Sequence, residues 1–187
     1  MSAETTQNTH RIFTIPNLLS FFRICLIPVI VWLYVFRGDF LATTLVLLLS
    51  GLTDVVDGII ARRFGMVSDL GKILDPVADK LTQGVVLICL LVRFPHIGLL
   101  LALFIVKEAF AAVTGLWGIR RARVVKGAEW HGKLTTVAIY TMILVHLVWA
   151  DIPPAVSTIL VGVCMGIMLM SLVLYAIRNI KMIRGKS

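Results

Sequence analysis

Long apolar stretches alternate with short polar breaks along nearly the whole chain. Each stretch is roughly 17 to 23 residues long, which as a helix is enough to cross a hydrocarbon layer about 30 Å thick. The pattern predicts an all-α integral membrane protein in which six transmembrane helices follow one another through short connections. The predicted spans are 18–36, 40–60, 73–92, 96–118, 134–150 and 154–176.

The amino-acid composition agrees with a membrane location. Of the 187 residues, 59% are hydrophobic and 15% are charged, whereas a soluble domain has about half apolar and about a quarter charged residues. The net charge of +8 is not arranged as a basic face with interleaved aromatic residues, so nucleic-acid binding is not expected. We expect one membrane-embedded domain over 1–187, with an interfacial amphipathic helix within 1–17 and a basic cytoplasmic tail over 177–187.

Lysine and arginine residues concentrate in one set of the predicted connections. The loops at 61–72 and 119–133 and the C-terminal tail are basic, and the N-terminal segment carries Arg11, whereas the opposite connections carry only Arg37 and Arg93. The positive-inside rule then places both termini and the two basic loops in the cytoplasm. The sequence therefore predicts a multi-pass protein of the cell membrane with its polar loops on the cytoplasmic side.

Four aspartates lie in apolar surroundings at helical spacing. Asp54 and Asp57 are three residues apart near the end of the second span, and Asp75 and Asp79 are four apart near the start of the third. Each pair projects from one face of its helix. Because a short loop joins the two spans, they can lie as antiparallel neighbours and bring the four carboxylates together on the cytoplasmic side.

Ionised carboxylates at membrane depth need compensation, since each costs on the order of 2.5–3.5 kcal/mol near the centre of a helix. Oxygen ligands suit Mg²⁺ or Mn²⁺, and four carboxylates can bridge two such ions, an arrangement that binds phosphates. The alternative is that the aspartates are helix-end charges paired with basic neighbours. Those neighbours are Arg62, Arg63, Lys72 and Lys80.

The aspartates belong to a longer motif. The stretch DVVDGIIAR, residues 54–62, is followed after eight residues by GKILDPVAD, residues 71–79. Together they resemble the full signature of the CDP-alcohol phosphotransferase family. The resemblance implies that family's membrane fold, a homodimer, and transfer of a phosphatidyl or phosphoalcohol group from a CDP-linked donor to an acceptor hydroxyl, with release of CMP.

The resemblance also implies roles for individual residues. Asp54, Asp57 and Asp75 would hold a pair of divalent ions, and Asp79 would add to the metal ligands and act as the catalytic base. As an alternative, the small residues of the motif only pack helices closely, and its arginine is one more positive-inside residue. The implied donor-binding residues are Asn17, Asp57, Gly58, Ala61, Arg62 and Gly71.

Two further stretches bear on the substrates. Residues 15–28, IPNLLSFFRICLIP, resemble the opening of bacterial phosphatidylglycerophosphate synthases and of the related cardiolipin synthases, both of which use CDP-diacylglycerol as donor. Residues 130–136, WHGKLTT, resemble the W-x-G-K-x-K-T stretch of the first group, except that Thr135 replaces the second lysine. We therefore expect glycerol 3-phosphate as the acceptor, with phosphatidylglycerol as the alternative. The implied acceptor-binding residues are Arg23, Arg120, Arg123 and Lys133.

Two other polar features lie in the second half of the chain. Lys107 and Glu108 are adjacent charges within the fourth predicted span. Glu108 either orients acceptor-binding basic residues or simply neutralises Lys107, because isolated charges are costly at membrane depth. His131, in the predicted loop before the fifth span, is expected to be a solvated loop histidine.

Two rival functions also use intramembrane carboxylates. A cation transporter would distribute them along several spans near the membrane centre and would show inverted repeats. An intramembrane prenyltransferase would have different aspartate spacing and more spans. The aspartates of this chain cluster on one side, and no repeat is visible, so both hypotheses are less favoured than phosphatidyl transfer.

Overall fold

The structure is a computed structural model that describes residues 14–63, 69–122, 130–149 and 151–183. Over these ranges the regular structure is entirely helical. A π-helical segment, Trp32–Arg37, continues the first helix without a break. The six α-helices are α1 (Ile15–Val31), α2 (Phe40–Arg63), α3 (Asp69–Arg93), α4 (Ile97–Ala122), α5 (Trp130–Val148) and α6 (Pro154–Ile183).

Five helical stretches of the described chain are long and apolar enough to cross a membrane, which confirms five of the predicted spans. The chain is therefore a multi-pass membrane protein. The stretch formed by α3 is not among the five because charged residues crowd its N-terminal half, so the sixth span stays a prediction. The five stretches are Pro16–Arg37, Phe40–Ile60, Ile97–Thr114, Trp130–Val148 and Pro154–Arg178.

The polar break at Arg37, Gly38 and Asp39 ends one helix and begins the next. Gly38 has a φ of 62°, a left-handed conformation that glycine adopts without the steric penalty of a Cβ. The Asp39 carboxylate then accepts a hydrogen bond of 2.9 Å from the amide of Ala42, which caps α2. The turn predicted at this position is confirmed, and it returns the chain to pack α2 against α1.

Several helix ends differ from the sequence-based prediction. Ile15, Pro16 and Asn17 form the first turn of α1 and not a separate interfacial helix, and the rest of that predicted segment, 1–13, lies outside the described residues. The helices α4 and α5 extend into the basic stretch that was expected to be a loop, and α6 continues through most of the predicted tail. A helix can continue beyond the end of its apolar stretch, because charged residues can extend it into the membrane interface or the surrounding water.

The chain divides into two compact units, Met1–Cys89 and Leu90–Ser187. In the first unit, α1 packs against α2 and contributes the buried side chain of Ile30, and the π-helical segment contributes that of Tyr34. The Tyr34 ring meets the Phe40 ring edge to face, with centroids 5.3 Å apart. Nothing tests whether the chain is functionally one domain, so the single domain over 1–187 stays a prediction.

In the second unit, α6 packs against both α4 and α5. A polar network of buried His146 and Ser157 with exposed His96 lies at one end: Nε2 of His96 and Nε2 of His146 are each 2.7 Å from the Ser157 hydroxyl. Since His146 Nδ1 is 2.8 Å from the Met142 carbonyl oxygen, Nδ1 is its donor, and Nε2 of the neutral ring accepts from Ser157. Ser157 in turn accepts from His96. The network ties the turn before α4 to α5 and α6.

At the N-terminal end of α5 the two helices α5 and α6 approach closely through Gly132. A Cβ placed on Gly132 would lie 2.8 Å from the Tyr175 hydroxyl oxygen but 3.8 Å from the ring carbon that carries it. The Tyr175 ring also packs edge to face on His131, with centroids 4.4 Å apart. The glycine thus leaves space for a tyrosine hydroxyl of α6.

We expect Gly132→Ala to lower the thermal unfolding temperature of the purified protein, because the new methyl group pushes Tyr175 off His131. Overpacking of this kind costs about 1–3 kcal/mol. The matched control is Gly132→Ala in a Tyr175→Phe background, where the clashing oxygen is gone and the substitution should be neutral or slightly stabilising, because alanine favours a helix more than glycine does. Equal destabilisation in both backgrounds would show that the Gly132–Tyr175 contact is not the cause.

Candidate metal and substrate site

The site begins with a polar row on α1. Asn17, Ser20 and Arg23 are three residues apart and share one face of the helix, and all three are buried. The helix starts just before them because Thr14 caps it, accepting from the Asn17 amide at 3.4 Å, and because Pro16 stands in the first turn. The first turns of an otherwise apolar helix thus carry three polar side chains into the first unit.

The Arg23 guanidinium lies among three carboxylates. Its Nη1 donates to Oδ1 of Asp54, and its Nη2 donates to Oδ2 of Asp57 at 3.0 Å. Nη2 is also 3.6 Å from Oδ1 of Asp75, an ion-pair distance. The side chains of Arg23 and Asp57 are 2% and 3% exposed, whereas those of Asp54 and Asp75 are 47% and 37% exposed. One buried cation therefore holds carboxylates from α2 and α3.

The two aspartates of α3 have different surroundings. The Ser20 hydroxyl lies within hydrogen-bond reach of Oδ1 of Asp75 and of the Pro16 carbonyl oxygen, and it donates to one of them at a time. Asp79, one turn further along α3, is 3.5 Å from Lys80 Nζ and 3.4 Å from the Gln83 amide nitrogen. The structure thus gathers Asp54, Asp57 and Asp75 around Arg23, and Asp79 lies beside Lys80.

The remaining motif residues follow the faces of the same two helices. On α2, Gly58 comes directly after Asp57 and is half-buried; on α3, Gly71 lies one turn before Asp75 and is buried. The backbones of Ala61 and Arg62 belong to the last turns of α2, and their side chains lie outside the described part of the structure. With Asn17 buried on α1, the donor-binding prediction is compatible with these positions but is not tested by them.

The donor set fits a hard divalent cation. The three carboxylates around Arg23 carry three negative charges against one positive charge, so two negative charges are left in a cluster where Asp57 is buried and Asp54 and Asp75 are partly exposed. All the converging atoms are carboxylate oxygens, the ligands that Mg²⁺ and Mn²⁺ prefer. Within the described residues no three acidic, histidine or cysteine side chains are gathered closely enough to hold an ion as they stand. Arg23 lies among the carboxylates instead.

The predicted acceptor-binding residues are spread over both units. Arg23 lies in the aspartate cluster of the first unit. In the second unit, Lys133 is exposed in the first turn of α5, while the Arg120 side chain and all of Arg123 lie outside the described residues. Buried Lys107 donates to Glu108 at 2.6 Å, so the adjacent charges form a pair within α4. Their role toward an acceptor remains a prediction.

Two polar residues, one in each unit, were missed or misjudged from the sequence. Ser20 was not predicted, although its spacing from Asn17 and Arg23 on one helix face was a usable signal. The expectation that His131 is a solvated loop histidine was wrong: it is buried in α5, and its Nδ1 is 3.0 Å from the Ser171 hydroxyl on α6. The apolar pattern alone did not reveal the burial of His131, because α5 begins four residues before the span predicted from that pattern.

Curated relatives of known name match parts of the chain. A CMP-forming cardiolipin synthase of Streptomyces coelicolor is 44% identical over 84 residues, covering 42% of this chain and 39% of the relative. A CDP-diacylglycerol–glycerol-3-phosphate 3-phosphatidyltransferase of Rickettsia bellii is 42% identical over 79 residues, covering 41% of this chain and 44% of the relative. The chain thus spans less than half the length of these two relatives.

Two broader matches cover most of the chain. The enzyme of the same name from Pectobacterium atrosepticum is 35% identical over 145 residues, 73% of this chain and 78% of the relative. The model of the CDP-alcohol phosphatidyltransferase family matches residues 13–179, which include every residue of the aspartate motif. This family match argues against the cation-transporter and prenyltransferase hypotheses. A match of this extent shows that the chain belongs to the CDP-alcohol phosphatidyltransferase family of enzymes.

Proposed function

We propose that the chain is a CDP-diacylglycerol–glycerol-3-phosphate 3-phosphatidyltransferase, that is, a phosphatidylglycerophosphate synthase of phospholipid biosynthesis. The observation that carries the choice of acceptor is the Pectobacterium match, which combines 35% identity with coverage of 73% of this chain. The Rickettsia match points the same way over a shorter stretch. The type of reaction rests on the family and on the aspartate cluster.

The proposed reaction is a direct displacement at phosphorus. The acceptor hydroxyl oxygen forms a bond to the phosphorus that carries diacylglycerol, the phosphoanhydride bond to CMP breaks, and CMP leaves with the bonding electrons. Asp79 is the proposed base that takes the hydroxyl proton, which requires hydrogen-bond reach and no covalent intermediate. Asp79 lies one turn after Asp75 on α3 and beside Lys80, so the proposed base comes from the same helix as one of the proposed metal ligands.

Asp54, Asp57 and Asp75, with a contribution from Asp79, are the proposed ligands of Mg²⁺ or Mn²⁺, two ions by resemblance. When bound, such ions neutralise the donor pyrophosphate and stabilise the departing CMP. Asp57 is the most buried of these carboxylates and therefore the one most in need of a cation. Asn17, Gly58, Ala61, Arg62 and Gly71 are the proposed lining of the donor pocket beside this cluster.

The acceptor phosphate needs several positive donors because it carries two negative charges. Lys133, exposed at the start of α5, is available for this role, and the basic stretch before it supplies Arg120 and Arg123. Arg23 was also predicted to bind the acceptor. In the structure its guanidinium is engaged with the aspartates, so that role requires its release from them.

We further propose that α3 is the sixth span, that both termini and the aspartate cluster face the cytoplasm, and that the protein is a homodimer in the bilayer. The orientation rests on the basic residues that flank one end of the helices. The half of α3 after Lys80 is apolar, so its polar half would lie at the cytoplasmic interface. A lipid donor can then reach the cluster from the bilayer.

Cardiolipin synthase, with phosphatidylglycerol as the acceptor, is the second candidate. The Streptomyces relative supports it with 44% identity, although over 42% of this chain. Thr135 supports it as well, because this residue replaces a lysine, is buried, and donates to the His131 carbonyl at 3.0 Å, so it offers no charge to a phosphate. Phosphatidylglycerol carries one charge fewer and needs fewer basic residues.

The acceptor is tested by measuring CMP release from CDP-diacylglycerol and Mg²⁺ by the purified protein, with glycerol 3-phosphate and phosphatidylglycerol supplied separately. We expect release with glycerol 3-phosphate and formation of phosphatidylglycerophosphate, identified by mass spectrometry. Release with phosphatidylglycerol alone would make the protein a cardiolipin synthase. If neither acceptor gives product, both acceptor assignments are wrong.

Two isosteric variants separate the roles of the aspartates. Asp79→Asn should retain metal-dependent binding of CDP-diacylglycerol and lose about 10²–10⁴-fold in turnover, since the proton acceptor is gone. Asp57→Asn should weaken metal-dependent donor binding, measured by the rise in unfolding temperature that donor and Mg²⁺ produce together. Asp151→Asn, the same change at a carboxylate that is 95% exposed in the second unit, is the control and should change neither. Normal turnover of Asp79→Asn would remove it as the base.

A further inference from the structure

The position of Arg23 has a bearing on how the metal would bind. Its guanidinium uses Nη1 for Asp54 and Nη2 for Asp57, and it lies 3.6 Å from Asp75. These are three of the four carboxylates proposed as metal ligands. A cation of this chain therefore lies among the carboxylates and engages one oxygen each of Asp54 and Asp57.

The guanidinium is incompletely satisfied there. The side chain is 2% exposed, yet its Nε–H finds no hydrogen-bond acceptor within the described residues. Buried donors nearly always have partners, because an unmet donor loses its hydration without replacement. The terminal nitrogens of Arg23 therefore compensate the aspartates, whereas its Nε–H has lost its hydration without gaining an acceptor in the described part of the chain. This unmet donor lowers the free-energy cost of moving the guanidinium away when a stronger cation binds.

Charge draws a divalent ion toward the cluster, and geometry brings that ion into competition with Arg23. With Arg23 in place, the three carboxylates retain two uncompensated negative charges, which attract a divalent ion. Within the described residues, however, no three possible ligands are gathered closely enough to hold an ion in the present arrangement. The carboxylates would have to close around the metal from positions now set by the guanidinium, which repels the ion electrostatically.

We propose that Arg23 is the countercation of the metal-free aspartate cluster and competes with the divalent ion for the oxygens of Asp54 and Asp57. This inference rests on the proposed metal site. Arg23 acts as a positioning residue: it holds α2 and α3 in register through their carboxylates before metal arrives, and metal binding displaces it. The freed guanidinium is then available to a phosphate.

The test is Mn²⁺ binding to the full-length protein in detergent, prepared metal-free, with free Mn²⁺ measured by electron paramagnetic resonance. Arg23→Gln removes the competing charge, so we expect its Mn²⁺ dissociation constant to fall at least tenfold below that of the unmodified protein. Arg23→Lys keeps the positive charge but lacks the forked guanidinium, so its Mn²⁺ dissociation constant should lie between those of Arg23→Gln and the unmodified protein. The control is Arg37→Gln, at an exposed arginine stacked on Trp32, which should leave Mn²⁺ affinity unchanged.

A second readout is the unfolding temperature in chelator and in Mn²⁺. Arg23→Gln should unfold earlier than the unmodified protein in chelator and gain more from Mn²⁺, including the extreme in which it folds only with the ion. A purely structural role predicts loss of stability in both buffers together with unchanged or weaker Mn²⁺ affinity, and that result overturns the proposal. If Arg23→Gln folds in neither buffer, Arg23→Lys decides, and affinity no tighter than that of the unmodified protein overturns it.

The failure of this inference is distinguishable from failure of the metal site itself. If the unmodified protein binds Mn²⁺ and Asp57→Asn does not, the metal site stands whatever Arg23→Gln shows. If the unmodified protein binds no Mn²⁺ at millimolar concentration and neither does Arg23→Gln, both the metal site and the competition are wrong. If Arg23→Gln binds Mn²⁺ more tightly than the unmodified protein and Arg37→Gln does not, the metal site and the competition are both supported.

Discussion

The ion cluster between Arg23 and three aspartates is the interaction on which the first unit depends. Three separate helices contribute to it, and the arginine and Asp57 are almost completely buried. Removing one partner of the buried Arg23–Asp57 pair leaves an unpaired buried charge, which costs about 3–5 kcal/mol. Charged side chains inside membrane proteins are rare and usually mark a functional site.

The helical scaffold explains how the cluster is assembled. The turn at Gly38 and Asp39 folds α2 back along α1, and this brings Asp54 and Asp57 alongside the polar row that begins α1. Ser20 and Arg23 then reach Asp75 on α3. The buried apolar side chains of Ile30, on α1, and Tyr34, on the π-helical segment, lie further along the chain from this polar row.

Much of the fold and the site was predictable from the sequence because the decisive signals are local. Apolar stretches indicated five of the spans, and the polar turn at Asp39 marked a helix boundary. The aspartates were identified by their helical spacing, and the family followed from the motif. What the sequence did not reveal depends on contacts between distant residues: which cation lies among the aspartates, that Ser20 meets Asp75, and that His131 is buried against Ser171.

The most direct test of the account is to locate a metal in a structure determined with Mn²⁺, using the anomalous scattering of the ion. The account predicts an Mn²⁺ signal bounded by the carboxylates of Asp54, Asp57 and Asp75, with the Arg23 guanidinium no longer bonded to Asp57. A signal elsewhere, or a structure in saturating Mn²⁺ that shows no ion and an unmoved Arg23, would contradict it.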